Sequence, residues 1–149
     1  MYGVIKIVDP LMENYNPLIL QGKIDSLLDN IDFHLSTYRD NSEINKFNNH
    51  INTTPFYASD MLLEIIHKSI YMHELSNGSF DITIQSLYRE WGFDNYALEA
   101  KIPDPSLISE LLEYTGTENI EIKDKMIAKT HPRVQLDVSA IAKGWAVDK

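Results

Sequence analysis

The chain has 149 residues, 44% of them hydrophobic and 23% charged, a globular composition that excludes extended disorder and is long enough to bury a core. Its formal net charge of -9 makes it a poor partner for nucleic acid or an anionic membrane, since no Lys/Arg cluster is present to release counterions. The absence of cysteine excludes a disulfide framework, a thiolate metal site and a cysteine nucleophile.

In chain order, Val4–Val8 alternates around Lys6 and predicts a strand. Leu18–Leu35 follows with Ile24, Leu27, Leu28, Ile31 and Leu35 at the spacing of one helix face. The polar stretch Ser36–Thr54 reads as a loop, or as a helix end, a turn at Asp40-Asn41 and a short Ser-capped helix. Ser59 or Asp60 can cap a second helix to about Leu75, with Leu62, Ile65, Ile66 and Ile70 inward and Asn77-Gly78 ending it. Phe80–Phe93 is mixed: a helix-ending glycine leads into a hydrophobic plug that closes on Trp91-Gly92-Phe93.

Asp104-Pro105 predicts the start of a third helix through Tyr114, with Gly116 beyond its C-terminus. Asn119–Ile122 and Met126–Thr130 flank Lys123-Asp124-Lys125 as a β-hairpin. Val134–Val138 predicts a last short strand, and Ser139 can cap a helix whose apolar residues are Ile141, Ala142 and Trp145. That helix meets the end of the chain after about two turns, so the expectation is one part of a longer mixed α/β protein. No internal repeat, signal peptide or apolar run of about 18 residues is present.

The terminal segment, LDVSAIAKGWAVDK, carries chemistry of its own. A helix start exposes backbone N–H groups and the positive end of a dipole, a natural site for phosphate. Lys143 near that end is unfavourable for an isolated helix, which makes sense beside an anionic ligand. Gly144 next to it permits close approach. The alternative is a solvated Lys143 and a Gly144 that packs against the sheet. The five histidines do not form a zinc pattern: His67 and His73 are not at the i, i+4 spacing, and His34, His50 and His131 stand apart.

Three motifs occur in order: STYR, SEI and KFN at Ser36–Asn48; SFDIT, Leu87 and WGF at Ser79–Phe93; and LDVSAIAKGWAVD. Together they resemble the FAD:protein FMN transferase (ApbE) family along essentially the whole chain, corresponding to roughly the first half of the family domain. The resemblance implies a mixed α/β fold, a sheet with flanking helices, truncated here. It implies an enzyme that splits FAD with Mg2+, joins FMN by a phosphoester to a Thr or Ser of an acceptor flavoprotein, and releases AMP. The alternatives are a Mg2+-dependent FAD pyrophosphatase and a flavin-binding protein without turnover.

Carried over residue by residue, the resemblance assigns FAD contacts to Met1, Tyr38, Ser79, Phe80, Asp81, Asp137 and Lys143. It assigns the backbone carbonyl of Ala140 to the metal, and no catalytic residue to this half. The metal's side-chain ligands, an Asp and a Thr, belong to the second half, so this chain alone is expected to bind Mg2+ and FAD weakly and not to transfer flavin. Departures from the family pattern are Tyr2-Gly3 for Gly-Thr, Ile82 and Ser86 for Pro, and Ser139-Ala140 for Gly-Gly. Tyr88 and Arg89 carry no reading from the pattern. Family members usually work outside the cytoplasm, often through a lipid anchor, so a cell-envelope location is an expectation by analogy.

Overall fold

A computed structural model describes residues 16–93 and 102–149. The expected strand Val4–Val8 and the candidate Met1 lie outside them. The elements run α1 (Pro17–Leu35), α2 (Glu43–Asn48), β1 (Phe56–Tyr57), α3 (Asp60–Leu75), α4 (Gln85–Glu90), α5 (Pro105–Leu112), a 3-10 turn (Thr117–Asn119), β2 (Ile120–Lys123), β3 (Met126–Lys129) and α6 (Ser139–Val147).

Local chemistry sets most helix starts. The side chains of Asn16, Ser42, Ser59 and Asp104 each accept a backbone N–H in the first turn of α1, α2, α3 and α5. Each such cap contributes about 1 kcal/mol. The α3 helix ends where the chain turns through positive φ at Asn77 (49°) and Gly78 (80°). The β2–β3 hairpin turns at Asp124, whose φ is 54°. Its strands pair antiparallel with Ile122 opposite Ile127, and β1 joins on the other side, giving the order β1-β3-β2.

The core lies between this small sheet and the helices. Ile44 and Phe47 of α2, Leu62, Ile65 and Ile66 of α3, and Ile127 of β3 are all fully buried. Ile31 and Leu35 of α1 pack into the same cluster, as the helical spacing predicts.

Within Ser36–Thr54 the reading as a short Ser-capped helix is the one the structure shows, with Ser42 capping α2. Two other expectations need correction. The α5 helix ends at Leu112 rather than Tyr114. Gly116 serves the following 3-10 turn at φ 126°, and its N–H is donated to the buried Thr83 hydroxyl at 2.6 Å.

The second correction concerns Val134–Val138, which is not a strand of the sheet. Its alternation is genuine, for Val134, Leu136 and Val138 are fully buried. Its backbone, however, makes one isolated parallel bridge, Gln135 to Ile84. Side chains supply the missing partners: Asn48 accepts from the Leu136 N–H at 2.7 Å and donates to the Leu136 carbonyl at 2.8 Å. The Lys129 ammonium donates to the Val134 carbonyl at 3.2 Å. Buried backbone groups must be paired, and here polar side chains replace a neighbouring strand.

Candidate functional site

The three sequence motifs meet along residues 134–139. The first arrives through α2, whose last residue, Asn48, clasps Leu136. The second arrives through Ile82, whose carbonyl accepts the Asp137 N–H at 2.7 Å. Residues more than fifty positions apart in sequence therefore frame the start of α6.

In the first motif the polar residues build a platform. The Ser42 hydroxyl donates to the Ser36 carbonyl at 2.6 Å while capping α2. The buried Asn45 amide donates to the carbonyls of Thr37 and Arg39, at 2.9 and 3.0 Å. These bonds hold the backbone on both sides of Tyr38, whose side chain is 62% exposed. A short Ser-capped helix is thus the means by which an aromatic ring is presented.

In the second motif Ser79 is exposed, while Phe80 is half-buried and packs on the core. Asp81 is mostly covered. One carboxylate oxygen accepts from the Thr83 N–H and hydroxyl, at 2.7 and 2.5 Å. The other lies 3.3 Å from the His73 Nδ1. His73 also donates that nitrogen's hydrogen towards the Phe80 carbonyl, at 2.9 Å, so α3 grips the Phe80-Asp81 turn from behind. His73 has no role in the sequence pattern, where its only signal is a histidine six residues before the SFDIT motif.

In the third motif the helix start differs from expectation. Ser139 is the first residue of α6 and makes no side-chain cap. Asp137 does that work, its Oδ1 accepting the Ser139 N–H at 2.7 Å. A carboxylate rather than open amides therefore stands at the positive end of the helix dipole. A diphosphate approaching here meets negative charge and needs a cation to offset it. Ala140 and Lys143 are three apart, share one face and are both exposed. Lys143 makes no ion pair with the described residues. A Cβ on Gly144 would meet nothing within 4 Å, so that glycine does not pack against the sheet among the described residues.

Two polar side chains with no role in the sequence pattern, the buried Lys129 and the partly exposed Glu64, stabilise this arrangement. Lys129 is 2% exposed and directs its ammonium at the carbonyls of Phe47, Asn48 and Val134, at 3.3, 3.1 and 3.2 Å. Burial pushes it down from 10.5 to about 8. It ties the C-terminus of α2 to the third motif. At the far end of α6, Glu64 of α3 accepts from Trp145 Nε1 at 2.9 Å and from Lys149 at 2.8 Å. Those bonds, Lys149 foremost, hold its carboxyl at about 2.

Comparison with known proteins bears on the family and the fold. The model of the ApbE family matches residues 3–149. This chain belongs to the ApbE family. Among curated ApbE relatives, the FAD:protein FMN transferase of Vibrio cholerae is 35% identical over 129 residues, covering 87% of this chain and 39% of the relative. That of Salmonella typhimurium is 29% identical over 133 residues, covering 87% and 38%. The solved flavin transferase ApbE from Vibrio cholerae superposes with a TM-score of 0.86 at 33% identity, over 92% of this chain and 44% of that one. The apo Pseudomonas stutzeri flavinyl transferase ApbE gives 0.86 at 29% identity, over 92% and 44%. The chain thus has the ApbE fold and spans about two fifths of the length of the curated relatives it matches.

Among the described residues no three His, Asp or Glu side chains gather as a metal site. Among the described residues no helix is long and apolar enough to cross a membrane.

Proposed function

We propose that the protein is a flavin transferase. It cleaves the FAD pyrophosphate, joins FMN by a phosphoester to a Thr or Ser hydroxyl of an acceptor flavoprotein, and releases AMP. The observation that carries this reading is the meeting of all three motifs at the start of α6, in a chain of the ApbE family.

On this reading the exposed Tyr38 ring faces the flavin, and the Ser79-Phe80-Asp81 turn lines the FAD. Asp137 and Lys143 hold its polar parts, with Met1 as a further contact. The Lys143 ammonium offsets the repulsion between a diphosphate and a chain of net charge -9. The Ala140 carbonyl would contribute to holding Mg2+, which would supply charge neutralisation at the phosphates. On this reading the residues of these three motifs bind and orient the FAD. By family analogy the work is done in the cell envelope.

The test is incubation of the full-length protein with FAD, Mg2+ and an acceptor flavoprotein. Transfer predicts a covalently fluorescent acceptor together with AMP. AMP without labelled acceptor would instead mean a pyrophosphatase, and neither product would mean a flavin-binding protein without turnover.

A further inference from the structure

Gln85 is the first residue of α4 and is 2% exposed, although a helix start needs no buried amide there. With its amide oriented to satisfy both ends, Nε2 donates to Asp137 Oδ2 at 3.0 Å and Oε1 accepts from Arg89 Nε at 3.1 Å. Arg89 is itself held, Nη1 donating to Gln135 Oε1 at 3.2 Å. Asp137 Oδ1 is already engaged by the Ser139 N–H. Both oxygens of the Asp137 carboxylate are therefore fixed, one by α6 and one by α4.

We propose that Gln85, backed by Arg89, is a positioning residue that fixes the Asp137 carboxylate for FAD. The inference rests on the proposed FAD-binding role of Asp137.

The chemistry of the three groups selects an amide. Arg89 is donor-only and an ionised Asp137 is acceptor-only, so a side chain between them must accept at one end and donate at the other. Glutamine does both. Glutamate of the same length would satisfy Arg89 but present a second negative charge to Asp137. A leucine would fill the space and leave the Asp137 oxygen and the Arg89 Nε without this partner. Hydrogen bonds to charged groups in a covered site polarise one another, so the guanidinium strengthens the bond that the amide makes to the carboxylate. The bland alternative, that Gln85 fills space under α4, predicts that glutamate and leucine serve as well.

The test is FAD affinity, by calorimetric titration of the full-length protein with FAD in the presence of Mg2+ and without acceptor. Gln85→Glu should raise the Kd for FAD roughly tenfold or more, the loss expected for a hydrogen bond to a charged group. The KM for FAD should rise with it while kcat at saturating FAD is retained. Gln85→Leu should weaken binding in the same direction, and Arg89→Ala, on the half-exposed side, several-fold less. Asp137→Asn serves as the reference. If it weakens FAD binding while Gln85→Glu and Gln85→Leu bind as the unsubstituted protein does, the positioning role is overturned and the FAD-binding reading stands. If Asp137→Asn itself leaves binding unchanged, the role of Asp137 fails and takes the inference with it.

Discussion

Lys129→Met in the full-length protein tests the tie between α2 and the third motif. Methionine fills the volume of the lysine stem and removes three donated hydrogen bonds. A bond to a charged group contributes about 1.5–3 kcal/mol, and leaving a buried acceptor unsatisfied costs about 1–3 kcal/mol. Against that, burying an ammonium is itself costly by several kcal/mol, a penalty that methionine avoids. The Phe47 carbonyl keeps its bond from the His50 N–H at 3.1 Å, whereas the Asn48 and Val134 carbonyls lose this donor. The net expectation is a loss of about 2–4 kcal/mol.

The pH dependence carries a second, independent sign. Burial lowers Lys129 to about 8 in the folded protein from 10.5. Between those values the unfolded chain binds more protons than the folded one, so this group makes stability rise with pH across that window. Methionine has no such term, and the stability gap between the two proteins should widen from pH 8 to 10.5. Urea unfolding of both proteins at the two ends of that window measures it. A variant as stable as the parent, or a gap that narrows with rising pH, would refute the reasoning.

Three further outcomes follow from the same geometry. Gly144→Ala adds a methyl in open space inside α6, so it should stabilise the protein by about 0.5–1 kcal/mol while weakening FAD binding if a ligand approaches there; thermal melts and FAD titration read the two effects separately. Lys143→Ala should weaken FAD binding well beyond a generic surface change with an unaltered melting temperature, and unchanged affinity would sink the role given to that lysine. Asn48→Leu deprives both backbone groups of Leu136 of their partners and should cost about 2–4 kcal/mol in chemical unfolding, whereas a loss within the range of ordinary surface substitutions would mean the clasp is dispensable.

Much of the helical frame was legible because its causes are local. The apolar spacing of α1 and α3, the Ser59 and Asp104-Pro105 starts and the Asp124 turn all act within a few residues. The site was legible as three motifs but not as a contact network. Asn48 reaches Leu136 across 88 positions and Lys129 reaches Phe47 across 82, and no window of sequence contains either pair. Val134–Val138 shows why alternation misleads: it reports which side chains are buried, not what pairs with the backbone. The helix start erred in a related way. Ser139 and Asp137 are both good cap residues, and the bridge at Gln135 together with the Ile82 bond sets the chain direction so that Asp137 faces the first amide. Arg89, silent in the pattern, became interpretable once α4 stood beside the third motif.

The central claim is that the three motifs form one FAD-binding face, and calorimetric titration of the full-length protein with FAD and Mg2+ tests it most directly. Tyr38→Ala, Asp81→Asn and Lys143→Ala, one substitution per motif, should each raise the Kd roughly tenfold or more, a change of about 1.4 kcal/mol, with the fold retained by circular dichroism. Three folded variants that bind FAD as tightly as the unsubstituted protein would contradict the account.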